Sequence, residues 1–213
     1  MLYVKSFECS PFQENTYILY NDLNECIIID PGCYSDNEEE ELFRFIQQNK
    51  LNATLLLNTH CHLDHVFGNK AIAEKYNLTL HLHINEIPVL DYAPTSGLMY
   101  GVPFDNYVGD YIYLEENQTI KFGTDELFVF LTPGHSPGSV SFYSKANNFI
   151  ISGDVLFKNS IGRSDLPGGN HTILISSIKE ILFKLPDNTI VYSGHGPKTT
   201  IGHEKISNPF LQD

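Results

Sequence analysis

The segment His60-Cys61-His62-Leu63-Asp64-His65 constrains this chain more than any other. Three imidazoles and one carboxylate fall within six residues, directly behind an apolar run at 53–57 that reads as a buried β-strand. Alternate positions along an extended chain put His60 and His62 on one side. A turn into a helix then carries Asp64 and His65 to a neighbouring point, so one segment feeds two adjacent metal positions. Gathering this many polar groups behind an apolar strand is costly unless something satisfies them, and a metal ion does. Strand ends are rigid places to mount such a site.

A lone His-x-His is weak evidence, because a structural histidine pair is the commoner case. Three further residues strengthen it. His135 follows the apolar run 127–131, Asp154 follows Phe149-Ile150-Ile151, and His195 follows Ile190-Val191-Tyr192. Each stands beside glycine, which permits tight turns and close backbone approach. His81, His83, His171 and His203 have no comparable setting and are expected to be structural. Cys61, lying between two ligands, is expected to be a buried, inert thiol.

The rest of the chain predicts a layered α/β fold. Strands are expected at 3–7, 15–20, 25–30, 53–57, 79–83, 111–114, 126–131, 139–143, 149–152 and 189–193. Pro31-Gly32 stops the third of them. Ser35 reads as the N-cap of a helix whose acidic first turn runs from Asp36 to Glu41. Further helices are expected at 64–76, 86–90 and 171–184, the last capped by Asn170, with a long Gly/Pro/Tyr-containing loop over 93–109. Strands in two groups, each followed by helices, suit two sheets packed face to face with helices outside.

Length and charge narrow the function. The chain has 213 residues, enough for one sizeable domain, and a formal net charge of −13. That charge argues against a nucleic-acid partner, since phosphate binding wants a positive face. No apolar stretch approaches the roughly 20 residues of a membrane span, and the N-terminus lacks the basic start and apolar run of a signal peptide. The four cysteines form no CxxC pair, so they are expected to be reduced thiols in a cytoplasmic protein.

Taken together, the motifs from Ile28-Ile29-Asp30-Pro31-Gly32 to Gly194-His195-Gly196 resemble the metallo-β-lactamase superfamily, and within it the short glyoxalase-II-like hydrolases. The resemblance implies a four-layer αββα sandwich. It also implies a single domain over 1–213, without the C-terminal helical domain of full-length glyoxalase II. It implies two divalent metal ions, zinc first, with iron or manganese also suited to imidazole and carboxylate ligands. His60, His62 and His135 would hold one ion, Asp64, His65 and His195 the other, and Asp154 would bridge them. Asp30 would be a supporting carboxylate. Asp64 would also be catalytic, orienting a metal-bound hydroxide toward the carbonyl of a small-molecule thioester such as a hydroxyacylglutathione. Gly162-Arg163 resembles the family's pair that meets a substrate carboxylate; an ion pair with Asp165 is the structural alternative. Ser164 and Asp165 replace the aromatic residues expected after the basic one, which favours thioesters as a class over glutathione in particular.

Two other functions fit the same residues: a mononuclear iron persulfide dioxygenase using His60, His135 and Asp154, and a non-catalytic metal-binding scaffold. A β-lactamase role is disfavoured by the missing export signal and the glyoxalase-like loop after Asp154.

Overall fold

The protein is described by a computed structural model covering residues 1–212. It forms two compact units, one of residues 1–114 with 121–125, the other of 115–120 with the described residues from 126 onward.

The first unit is built on a six-stranded sheet in sequential order: β1 (Leu2–Cys9), β2 (Glu14–Asn21), β3 (Glu25–Ile29), β4 (Asn52–Leu57), β5 (Leu80–His83) and β6 (Tyr111–Leu114). β1, β2 and β3 are antiparallel; β3 to β6 run parallel. Parallel neighbours need crossovers, and each carries helix: α1 (Asp36–Gln48), then α2 (Leu63–Val66) with α3 (Asn69–Tyr76), then α4 (Ile87–Tyr100). Ile27, Ile28, Ile29, Leu56 and Leu57 are all buried, as expected of strands covered on both faces. α1 begins with the predicted Ser35 cap, which forms a capping box with Glu38, and it buries Leu42 and Ile46 one turn apart.

Two helix expectations change. The single helix over 64–76 is two, broken at Gly68. There the amide donates to Pro31 O at 2.7 Å, and a Cβ would come within 2.9 Å of the same oxygen. The expected loop from 93 is helical as far as Tyr100, despite an internal Pro94. Proline cannot donate to Leu90 O, four residues back, and the Asn106 side chain does so instead at 2.8 Å.

The second large sheet runs β14 (Thr199–Thr200), β13 (Ile190–Ser193), β10 (Phe149–Gly153), β9 (Val140–Ser144), β8 (Asp125–Leu131), β7 (Thr119–Phe122). A small ladder of β11 (Leu156–Phe157) and β12 (Ser160–Ile161) follows β10. The helix capped by Asn170 is α5 (His171–Ser176), continuing as a π turn (Ser177–Ile181) and a 3₁₀ turn (Leu182–Lys184). Leu174, Ile178 and Leu182, four apart, pack on Ile150, Val191 and Ile201. β7, β14 and the C-terminal α6 (Ile201–Ser207) went unforeseen, being short and weakly periodic.

Candidate metal centre

In the first unit the ligand motif begins where β4 ends. β3 and β4 are parallel neighbours, so the residues beyond them emerge side by side, and Asp30 N donates to Leu57 O at 2.9 Å. Asp30 adopts φ +49°, an unusual left-handed conformation for a non-glycine residue and one often found at functional sites. Its buried carboxylate is fully engaged. Oδ1 accepts from Thr59 N (2.6 Å) and Asn58 Nδ2 (3.2 Å). Oδ2 accepts from Thr59 Oγ1 (2.5 Å) and lies 3.1 Å from His65 Nδ1.

These bonds decide two tautomers. A carboxylate only accepts, so His65 Nδ1 carries the hydrogen. Thr59 spends its hydroxyl hydrogen on Asp30, so its oxygen accepts from His60 Nδ1 at 3.1 Å. In both rings Nε2 is left as the ligating nitrogen. The rings of His60 and His65 lie 4.1 Å apart between centroids, those of His60 and His62 4.9 Å apart. Ligand atoms of Asp30, His60 and His65 lie within 4.8 Å of one another, and Asp64 Oδ2 is 3.9 Å from His65 Nε2. Asn58 ties the loop together, donating to His65 O at 3.0 Å while accepting from Asn69 at 2.8 Å.

Two buried acids here escaped sequence reasoning. Glu86, at the end of a 3₁₀ turn (Ile84–Glu86), accepts from Cys61 N at 2.8 Å and so holds the backbone between His60 and His62. Glu14 lies against His65, its Oε1 3.8 Å from Nδ1, and burial pushes its pKa well above the usual glutamate range. Neither lies in a recognisable motif; only distant pairing reveals them. Cys61 is as expected: fully buried in the core, with burial raising its thiol pKa.

The second unit repeats the plan. β10 and β13 are parallel neighbours, Gly194 N donates to Gly153 O at 2.9 Å, and Asp154 and His195 follow directly. His135 follows β8 through Gly134, whose φ of +125° suits glycine. His135 Nδ1 donates to the backbone carbonyl of Arg163 at 2.7 Å, so this ring too has Nε2 as its ligating nitrogen.

Whether these groups suit a metal can be tested on distance. His135 Nε2 and His195 Nε2 each lie 3.5 Å from Asp154 Oδ2. A charge-assisted hydrogen bond would close to about 2.7–2.9 Å. Two donors held at about 2.0–2.1 Å by one tetrahedral ion stand about 3.3 Å apart. The observed spacing matches co-ligands of a shared ion better than hydrogen-bonded partners. The donor set, imidazole nitrogen with carboxylate oxygen, suits zinc, iron or manganese.

Arg163 does not match its expected role as directly. Its guanidinium is spanned by Asp165, Nε to Oδ1 and Nη2 to Oδ2 both at 2.8 Å, and this pairing holds Asp165 down at a pKa of about 2. The structural alternative raised from the sequence is present, and the backbone of Arg163 supports His135. Of the other histidines, His81 Nδ1 lies 3.0 Å from Thr79 O and His203 Nε2 2.8 Å from Asn159 Oδ1, while His171 opens α5.

A fold with one large sheet and its helices in each unit, and histidine–aspartate clusters at strand ends, defines a metal-binding α/β protein. Residues 9–195 match the family model described as "Metallo-beta-lactamase superfamily", and the chain belongs to that family. It is 40% identical to "Probable metallo-hydrolase YqgX" of Bacillus subtilis (strain 168), over 94% of this chain and 93% of that protein. It is 36% identical to "Hydroxyacylglutathione hydrolase GloC" of Haemophilus influenzae, over 94% and 93%. Among solved structures it is similar to BLEG-1 B3 metallo-beta-lactamase, with a TM-score of 0.90, 41% identity and coverage of 99% and 100%. It is also similar to TTHA1623 in a di-iron-bound form, with a TM-score of 0.89, 36% identity and coverage of 98% and 100%. The expected α/β metallo-β-lactamase fold is therefore shown, and with it the class of metallo-hydrolase. Among the described residues no helix is long and apolar enough to cross a membrane.

Proposed function

We propose that this chain is a thioester hydrolase of the glyoxalase-II kind, acting as a single metallo-β-lactamase domain on a small-molecule thioester such as a hydroxyacylglutathione. The observation that carries it is the 36% identity, along nearly the whole of both chains, to a protein named hydroxyacylglutathione hydrolase. The orientation of three imidazoles by Asp30, Thr59 and Arg163 O supports a working metal site. In this reading His60, His62 and His135 would hold one ion and Asp64, His65 and His195 the other, with Asp154 serving both. When bound, such ions polarise a carbonyl and acidify water at neutral pH.

The chain's own residues then do the positioning. Asp64 would serve both as a ligand and as the acceptor that orients a water toward the substrate carbonyl. Asp30 orients His65 directly and His60 through Thr59, leaving Nε2 of each as the nitrogen to hold an ion when one is bound, and Glu86 holds the loop between His60 and His62 in shape. A thiolate leaving group needs little acid assistance, and no serine or cysteine nucleophile is required. Zinc is the first metal to test, with iron next because a similar structure is di-iron-bound. A cytoplasmic location and a small-molecule rather than a nucleic-acid or membrane partner belong to the same proposal, and the net charge of −13 supports the exclusion of nucleic acid.

The test is metal analysis of purified protein, with reconstitution by zinc, iron or manganese. S-lactoylglutathione and other thioesters are then assayed beside nitrocefin and glutathione persulfide with oxygen. Thioester turnover that disappears, with bound metal, in His62→Ala and Asp154→Ala supports the proposal; full turnover with an emptied site refutes it. Nitrocefin cleavage would instead support a second reading, β-lactam hydrolysis, which the 41% identity to BLEG-1 favours. Oxygen consumption with persulfide would mark the mononuclear iron alternative. No turnover of any substrate by metal-replete protein would leave a scaffold.

A further inference from the structure

Glu14 opens β2 and is wholly buried. Its Oε2 accepts from Thr16 Oγ1 at 2.8 Å, and Thr16 Oγ1 accepts in turn from Gly32 N at 2.9 Å. Its Oε1 has no hydrogen-bond partner among the described residues and faces His65 Nδ1 at 3.8 Å. Asp30 Oδ2 is 3.1 Å from that same nitrogen. Two carboxyl groups therefore bracket the Nδ1 side of one fully buried imidazole. A Cβ at Gly32 would collide with Glu14 Oε2, so the Pro31-Gly32 turn makes room for this carboxyl. An interior oxygen without a donor is costly to keep. A cation on the far side of the ring it faces offsets that cost.

We propose that Glu14 is a positioning residue for the metal held by Asp64 and His65, acting with Asp30 on the Nδ1 side of His65 to set that ion's affinity. The inference rests on the binuclear reading above. Outer hydrogen-bond partners of ligating histidines typically change metal affinity about 10–100-fold. Glu14 differs from such a partner in adding its effect through the ring's edge at 3.8 Å, beyond hydrogen-bond reach, so its influence is electrostatic and steric.

Metal-free wild type, Glu14→Gln and Glu14→Asp are titrated with zinc against a chromophoric chelator, which resolves the two binding steps. Apo melting temperatures are measured alongside. Wild type is expected to take up two ions. Glu14→Gln, which keeps the shape and removes the carboxyl, is expected to weaken one step measurably, by less than the roughly 10–100-fold that loss of a directly hydrogen-bonded partner causes, and to leave the other unchanged. Glu14→Asp, which withdraws the carboxyl by one methylene, is expected to fall between, and it carries the comparison if the Gln variant does not fold. Wild-type affinity at both steps in the folded variants, whatever their melting temperatures, overturns the proposal and leaves Glu14 a packing residue. Uptake of fewer than two ions by wild type overturns the binuclear reading itself, a result read before any variant.

Discussion

Asp30 Oδ2 stands 3.1 Å from His65 Nδ1, and the same oxygen reaches His60 through the Thr59 hydroxyl. One carboxylate just beyond β3 thus orients two imidazoles of the segment that follows β4, His60 in the loop and His65 in α2. Asp30→Asn is expected to keep the backbone, because asparagine tolerates the left-handed φ that Asp30 adopts. It is expected to lower metal affinity about 10–100-fold, as read by chelator competition. Undiminished affinity would remove the orienting role.

Arg163 separates backbone from side chain. Its carbonyl supports His135, while its guanidinium is occupied by Asp165. Arg163→Ala is therefore expected to leave metal content unchanged. In the same variant the Asp165 pKa should rise from about 2 toward the ordinary aspartate range, measurable by carboxyl NMR titration. The KM for an anionic thioester decides the substrate role: a rise supports contact with a substrate carboxylate, and no change rejects it.

Gly162 packs where no side chain fits. A Cβ there would run into the Asp154 carbonyl and come within 3.2 Å of His135 Nδ1. Gly162→Ala is expected to cost about 1–3 kcal/mol of stability, the usual range for overpacking, and to lower metal content by displacing Asp154. Denaturant unfolding with elemental analysis checks both, and a variant of wild-type stability and loading would contradict the crowding.

Glu38 closes the start of α1. Burial pushes its pKa up, but hydrogen bonds from the backbone N–H groups of Ser35, Tyr34 and Ser10 outweigh that and leave it below the usual glutamate value. A folded-state pKa that is depressed adds stability above the unfolded pKa and loses it as pH falls through the folded one. Glu38→Ala is expected to cost about 0.5–2 kcal/mol at neutral pH, as cap losses do. The gap between variant and wild type should narrow on acidification below the usual carboxylate range. A gap independent of pH would show that packing, not charge, is what the variant loses.

The ligand motif was legible because its residues are contiguous or tied to strand ends: a hydrophobic run, a glycine and a histidine or aspartate form a local pattern. The same holds for α1, whose cap, acidic turn and apolar side lie within 14 residues, 35–48. α4 was not legible. Pro94 reads as a helix breaker until Asn106, 12 residues on, is seen to satisfy the carbonyl that proline leaves.

What the sequence by itself determined was the identity and order of the metal-binding groups, and the family they point to. Only the tertiary structure decided their orientation. It paired Asp30 with His60 and His65, placed Arg163 O on His135, and buried Glu14 and Glu86 against the ligand segment. The physical reason is that hydrogen bonds between groups 25 to 35 residues apart depend on which strands become neighbours, and no local periodicity records that.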